Sequence, residues 1–431
     1  MESSSSTAAE VPSYFLCPIS LEIMRDPVTL ATGITYERDN IEKWMFAGGG
    51  GKAAPTCPVT RRALAPAERE ATPNHTLRRL IQAWCAAHAV ERFPTPRPPV
   101  DPCRVAALVD DGARGGRRQR LAALREIKSL AAESDRNRRC VESTPGAVEF
   151  LLSLVSTIPN STSSDDLFDS PITTSSPEED ALGVLYSLKP SESTLLRLLA
   201  NNNLLDTLAA SLRRPSYRTR AYAILVLKSA TSAMAPDRLA HVGGDVVEEA
   251  VRVIADGVSR KATKAALHVL CSLFPWGRNR VKAVEAGAVA ALVDLLLDGG
   301  DAGVLGRRAA ELAVAAMGHV CGCAEGRAEV VAHPAGIAVV AKAAMRVSPA
   351  ATESAVRALH AVATHAATPA VMQEMLAVGV VDKLLLLLQV RDAGAGGERA
   401  RARAREMLRA NARVWKDSPC LQAHLRASYP C

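Results

Sequence analysis

Aromatic side chains are scarce in this sequence. Phe, Trp and Tyr make up 4% of 431 residues, while 48% are apolar. Ala, Leu and Val carry the apolar share, which favours close helix–helix contacts and disfavours a β-sandwich. No uninterrupted apolar run reaches the roughly 18 residues that a membrane-spanning helix needs, so no membrane span is expected. The opening MESSSSTAAEVPS has no apolar stretch and reads as no secretory signal. The ten cysteines are scattered, without disulfide or zinc spacing. They read as free thiols of a reducing compartment: the cytoplasm, with the nucleus as a second location. The sequon at Asn160-Ser161-Thr162 is then idle. A net charge of +7 allows acidic partners but is too small for a nucleic-acid binder, so no nucleic acid is expected.

A chain of this length exceeds one ordinary core. Residues 1–12 are Ser-rich and expected to be disordered. Residues 13–90 read as a small α+β unit. FPTPRPPVDP, residues 93–102, has five prolines in ten positions, so 91–102 is a stiff linker. From 103 to 431 the pattern is helical and repeats. A turn residue precedes an apolar i, i+3, i+4, i+7 helix at Gly146, Asn203, Gly244, Gly287, Gly336 and Gly379. The gaps are 203−146=57, 244−203=41, 287−244=43, 336−287=49 and 379−336=43. After Gly287 the stripe is Val289, Leu292, Val293, Leu296 and Leu297. The wide first gap is explained by 156–180, a polar, acidic, Ser- and Pro-rich insertion expected to be disordered, with Ser170-Pro171 and Ser176-Pro177 as phosphorylation candidates. Two repeats break the pattern: Lys342 stands where a Leu belongs, and Glu249 falls on the apolar face.

A low-forties helical period implies an α-solenoid, and Arg278-Asn279-Arg280 to Leu297 resembles an armadillo repeat. An importin's array of groove Trp and Asn is missing; only Trp276 and Trp415 follow residue 90. In residues 14–90 the order is loop, strand pair, short helix, loop, closing helix. The motifs are YFLCPISLEIMRDPVTLATGITYERDNIEKW, CPVTRRAL and PNHTLRRLIQAW. A RING finger of this outline needs eight Cys/His zinc ligands, yet only Cys17, Cys57, Cys85, His75 and His88 occur and no CxxC pair does. The segment resembles the U-box, the zinc-free relative of RING, and the whole resembles plant U-box/armadillo proteins. The expected fold is mainly α: a small α+β zinc-free, RING-like U-box followed by an all-α armadillo-type solenoid.

The resemblance implies a ubiquitin-protein ligase with no nucleophile of its own, no cofactor and no metal. It would hold a ubiquitin-charged conjugating enzyme beside a target lysine, gaining rate from proximity. It implies conjugating-enzyme docking by Ile19, Leu21, Trp44 and Pro58. Arg61 would be the catalytic bridge to ubiquitin, because a planar fork donates to two carbonyls at once. Arg62 is a bystander. Cys17 and Cys57 are small buried residues without chemistry. Ile41 belongs to the core. Leu77, Leu80, Ile81 and Trp84 form the buried stripe of the closing helix, capped by Asn74 or Thr76, with His75 on the surface. A target protein would sit on the solenoid's concave face, for proteasomal removal in stress or immune signalling. A homo-oligomer is open. The rival is a non-enzymatic armadillo scaffold with a degenerate U-box. Three further patterns are set aside. Gly48–Lys52 lacks a phosphate loop's outer residues, His319/Cys321/Cys323 fits no common zinc spacing, and the Arg/Ala alternation of 398–409 reads as a solvated terminal helix.

Overall fold

The computed structural model describes residues 11–47, 56–65, 68, 71–88, 100–156, 176–200, 203–298, 306–390, 394–416, 418–419 and 421–422. The chain divides into two compact units, one up to Pro99 and one from Val100.

In the first unit a 3-10 turn (Ser13–Phe15) leads to β1 (Pro27–Thr29), β2 (Thr35–Glu37), α1 (Arg38–Ala47), β3 (Thr72–Pro73) and α2 (His75–Ala87). The antiparallel sheet has the order β2-β1-β3, with Val28 opposite Tyr36 and Pro73. Gly33, at φ +79, closes the hairpin and donates to the Leu30 carbonyl at 2.9 Å. Only a residue tolerant of left-handed backbone fits there. Pro27 opens β1, and strand β3 was not foreseen. Asn74 caps α2 by accepting the Leu77 N–H at 3.0 Å. The buried stripe of α2 is Leu77, Ile81, Trp84 and Cys85, whereas Leu80 is 53% exposed. Spacing of i, i+4, i+7 and i+8 selects a face that leaves position i+3 at its rim. His75 is exposed and opens α2, and Ile41 is buried.

Two loops of the same design flank this sheet. In Cys17–Glu22 the Cys17 N–H donates to Glu22 and the Leu21 N–H to Cys17, both at 2.8 Å. In Cys57–Arg62 the Cys57 N–H donates to Arg62 at 2.9 Å and the Arg61 N–H to Cys57 at 2.8 Å. Leu21 (φ 58) and Arg61 (φ 57) take the same left-handed backbone. Both cysteines are fully buried, and their sulfurs tie the loops to neighbouring residues of β2. The Glu37 N–H donates to Cys17 Sγ at 3.2 Å. The Tyr36 hydroxyl and the Cys57 thiol are hydrogen-bonded at 3.1 Å. Ion pairing completes the frame: the Arg38–Asp26 pair is 2.7 Å long, Arg78 approaches Asp26 at 3.8 Å, and the Glu37 carboxylate accepts the Arg25 and Asp26 N–H groups. Burial opposes ionisation of Cys57, but hydrogen bonds from Thr60, Tyr36 and Thr32 outweigh it and hold the thiol at about 6. Tyr36 is pushed up, by burial first and then by Cys57.

The second unit is a stack of helices. After α3 (Pro102–Arg114) and α4 (Arg117–Glu133) the helices come in threes. The first three triplets are α5 (Asp135–Ser143), α6 (Ala147–Ser156) and α7 (Pro177–Leu188); α8 (Glu192–Ala200), α9 (Asn203–Leu212) and α10 (Tyr217–Ala233); and α11 (Pro236–Ala240), α12 (Gly244–Ala255) and α13 (Arg260–Leu273). The last three are α14 (Gly277–Glu285), α15 (Ala288–Asp298) and α16 (Arg307–Val320); α17 (Ala324–Ala332), α18 (Gly336–Ala343) and α19 (Pro349–His365); and α20 (Pro369–Ala377), α21 (Val380–Gln389) and α22 (Gly394–Ala410). The third helices pack in a ladder α4-α7-α10-α13-α16-α19-α22, and the second helices form a parallel one. Interior alanines such as Ala223, Ala266, Ala313, Ala355 and Ala404 allow that approach.

Of the repeat anchors, Gly146, Gly287 and Gly379 adopt left-handed backbone (φ +81, +82 and +75). Asn203, Gly244 and Gly336 instead begin α9, α12 and α18. A Cβ on Gly336 would collide with the Val330 carbonyl, so close approach selects that glycine. Lys342 is exposed, off the buried face. Glu249 is buried as the pattern implied, and is paired with Arg252 at 2.7 Å and Arg213 at 3.2 Å.

Three expectations change. Val100 donates to Asn137 Oδ1 at 3.0 Å and Asp101 caps α3, so the last linker residues belong to the solenoid's first turn. Residues 157–175 lie outside the described part, but Ser176–Asp180, assigned to the insertion, are the cap and first turn of α7. A capping Ser, a Pro and three acids suit a helix start, and that signal was masked by polar composition. Helix α22 is the last rung of the ladder: its Ala400, Ala404 and Met407 are buried while Arg399 pairs with Glu353 on α19 at 2.8 Å.

Two measurements test these supports. Asn279, fully buried, donates to the carbonyls of Leu239 (2.9 Å) and Leu273 (3.1 Å) and so staples adjacent repeats. Asn279→Ala should cost about 1–3 kcal/mol of solenoid stability in urea unfolding. In the first unit the hydrogen bonds to Cys57 lower its thiol from an ordinary 9.0 to about 6. The unfolded state therefore binds more protons across that window, and stability should rise with pH through it. Cys57→Ser should flatten the rise in urea midpoint; a flat wild-type profile would exclude the thiolate.

Candidate functional site

The five residues expected to act all lie on the two loops and on α1. Ile19 is half-buried against the first unit's core. Leu21 is 74% exposed and lies outside the core. Its left-handed backbone turns the side chain out of the loop. Trp44, three residues beyond buried Ile41, is 45% exposed, and its indole N–H donates to the Thr56 carbonyl at 2.9 Å. That bond fixes the ring against the start of the second loop, so α1 and this loop present one surface. Pro58 is half-buried and Arg61 exposed. Among the described residues the Arg61 guanidinium has no ion-pair partner, whereas Arg62 is paired with Glu68. Glu68 accepts the Ala65 N–H as well as the Arg62 guanidinium, and both hold its carboxyl below the usual range.

The sequence contained a signal that was passed over. Cys17-Pro18-Ile19-Ser20 and Cys57-Pro58-Val59-Thr60 are one motif repeated, and 57−17=40 residues separate the copies. The repetition places Val59, 52% exposed, where Ile19 stands in the first loop. It also equates Leu21 with Arg61, one apolar and one cationic side chain on identical backbone. The cysteines, assigned no chemistry, are the anchors of both loops. Among the described residues no group of three or more Cys, His, Asp or Glu is placed to hold a metal ion, the His319/Cys321/Cys323 run included. The Gly48–Lys52 run lies outside the described residues. No described helix is long and apolar enough to cross a membrane.

The solenoid's third-helix face is the second candidate surface. Its early rungs form an open cavity of about 330 Å³ lined by Lys128, Arg138, Asp180, Gly183, Arg218 and Tyr222. Charges there are matched: Lys128 pairs with Asp180 at 2.6 Å and Arg218 with Glu179 at 3.5 Å. Further along, His268 is held below its usual range, by burial first and then by Lys228, Arg308 and Lys264. His319 is lowered to about 4 by burial, with Arg357 and Arg280 adding to it. Both imidazoles are neutral at pH 7, in a field set by cations.

Comparison with known proteins agrees with both units. Residues 11–90 match the U-box domain family, and residues 105–431 match the family described as the plant U-box protein ARM repeat region. The chain is 44% identical to E3 ubiquitin-protein ligase PUB23 of Arabidopsis thaliana, covering 98% of each chain. It is 41% identical to E3 ubiquitin-protein ligase PUB22 of the same plant, covering 98% of this chain and 99% of that one. Among solved structures it resembles an engineered protein (TM-score 0.46, 19% identity, 60% of this chain and 97% of that one). It also resembles a designed armadillo repeat protein in complex with the peptide (KR)4 (TM-score 0.42, 17% identity, 60% and 98%). With a U-box in front of a plant U-box ARM region and relatives similar over nearly its whole length, the chain belongs to the plant U-box/ARM-repeat family and is a ubiquitin-protein ligase.

Proposed function

We propose that this ligase receives its charged conjugating enzyme on the surface made by Ile19 and Leu21 of the first loop, Trp44 of α1 and Pro58 of the second. The observation that carries the reading is the tether of both loops to Tyr36 and Glu37, adjacent in β2. A shared strand fixes the spacing of the two loops before the partner arrives, which lowers the cost of ordering them on binding. The enzyme–ligase interface is small and transient, below about 1,200 Å². Arg61 bridges conjugating enzyme and ubiquitin and holds the thioester ready for attack. The ubiquitin C-terminal carbonyl then passes from the conjugating enzyme's sulfur to the target lysine amine, which loses a proton, and the thiol leaves. Cys17 and Cys57 take no part in the transfer, because their sulfurs are buried. The solenoid's third-helix face holds the target. Proteasomal removal in stress or immune signalling, in the cytoplasm or nucleus, is the setting proposed. Free thiols fit that compartment.

Autoubiquitination with purified components tests this assignment. Trp44→Ala and Ile19→Ala should weaken conjugating-enzyme recruitment while leaving target binding by the solenoid intact. Normal ubiquitination by Trp44→Ala would refute the docking surface. Arg61→Ala should retain recruitment yet slow discharge of ubiquitin about ten- to a hundredfold, the loss of one charge-assisted hydrogen bond of roughly 1.5–3 kcal/mol. A zinc-selective chelator should leave the rate unchanged.

A further inference from the structure

We propose that the third-helix face from α10 to α22 docks a carboxylate-rich, extended segment of the target protein. The inference rests on the reading that the solenoid holds the target, and it names the chemistry that is held. Cations outnumber carboxylates along this stretch. Lys228 on α10 and Lys264 on α13 have no carboxylate within ion-pair distance among the described residues. Arg308 shares Glu311 with Arg307, at 3.1 and 3.7 Å. Arg399 and Arg403 share Glu353, at 2.8 and 3.9 Å. At the early-rung cavity, by contrast, Lys128 is paired with Asp180 and Arg218 with Glu179.

Two guanidiniums, that of Arg357 on α19 and that of Arg280 on α14, are laid by missing side chains against α16 and the turn that follows it. A Cβ on Gly318 would meet the Arg357 Nη2 at 2.9 Å and its Nε at 3.2 Å. A Cβ on Gly322 would meet the Arg280 Nη1 at 2.6 Å. Arg357 makes one long hydrogen bond, to the Ala315 carbonyl at 3.5 Å, and no ion pair among the described residues. Both planar forks are thus oriented but unneutralised, the state in which Arg receives a carboxylate through two parallel bonds. Like charges held together in the free protein repel, and an acidic partner relieves the repulsion.

Helices pack about 8–10 Å apart, and an extended chain of polyproline-II type advances about 3.1 Å per residue with about three residues per turn. One acid at about every third position of such a segment would therefore stay on one side and meet successive rungs. Single-stranded nucleic acid suits the face less well, because it wants aromatic platforms. Of the exposed tyrosines, Tyr186 lies on α7 and Tyr217 at the start of α10, and from α13 onward none of the exposed large hydrophobic side chains among the described residues is aromatic.

The test uses the full-length chain and fluorescein-labelled peptides carrying Glu, Gln or Lys at every third position. The Glu peptide should bind, weaken steeply with added salt, and compete with no Lys peptide. The double variant Lys228→Glu/Lys264→Glu should bind it at least about tenfold more weakly, and Arg357→Gln should also bind less well, while both autoubiquitinate like the wild type. Equal affinity for Glu and Lys peptides, unchanged affinity in the double variant, or tighter binding of an RNA oligonucleotide would overturn the proposal. Loss of wild-type autoubiquitination would instead count against the ligase assignment, so the two failures are separable.

Discussion

The N-terminal unit depends on a tie between two buried sulfurs and one strand. Without metal ligands, something must stop two short loops from splaying, and hydrogen bonds to Cys17 and Cys57 from Glu37 and Tyr36 do so. Each bond to sulfur is weak alone. Their effect lies in location, because they act where water is excluded and where an unpaired thiolate or hydroxyl would be expensive. The Asp26–Arg38 pair and the Glu37 carboxylate then fix the turn that precedes β1. Everything that the loops present, from Ile19 to Arg61, inherits its position from this frame.

The solenoid obeys a different constraint. Each triplet buries its apolar surface only against its neighbours, so the fold is a sum of repeated contacts. Alanine-rich third helices bring the rungs close, and buried polar staples such as Asn279 set the register between them. Once the backbone ladder is fixed, exposed side chains on it are free to vary, and their charges give each stretch a character. At the early-rung cavity Lys128 and Arg218 are paired with acids of the chain; further along, Lys228 and Lys264 have no carboxylate at ion-pair distance among the described residues.

Resemblance and pattern reached far here. The loop motifs placed Ile19, Leu21, Trp44, Pro58 and Arg61 in one small unit, and the glycine spacing located the helix after Gly287 and that after Gly379. Composition misled at Ser176–Asp180, where an acidic run was a helix start, and in residues 398–409, where Ala400 and Ala404, one helical turn apart, are buried against the ladder while Ala402 is exposed. Leu80 was misplaced because a helical stripe leaves its rim ambiguous by one residue. The repeated Cys-Pro motif was legible and went unread as a pair of equivalent loops.

The sequence by itself determined the class of both units, since apolar periodicity, turn glycines and the lack of paired zinc ligands are local properties of the chain. Tertiary structure alone decided which side chains meet. That Tyr36 bonds to Cys57, that Trp44 bonds to Thr56, and that Gly318 lets Arg357 lie on α16 are contacts between residues 12 to 39 positions apart. Such contacts depend on how helices and loops pack in space, which no periodicity along the chain encodes.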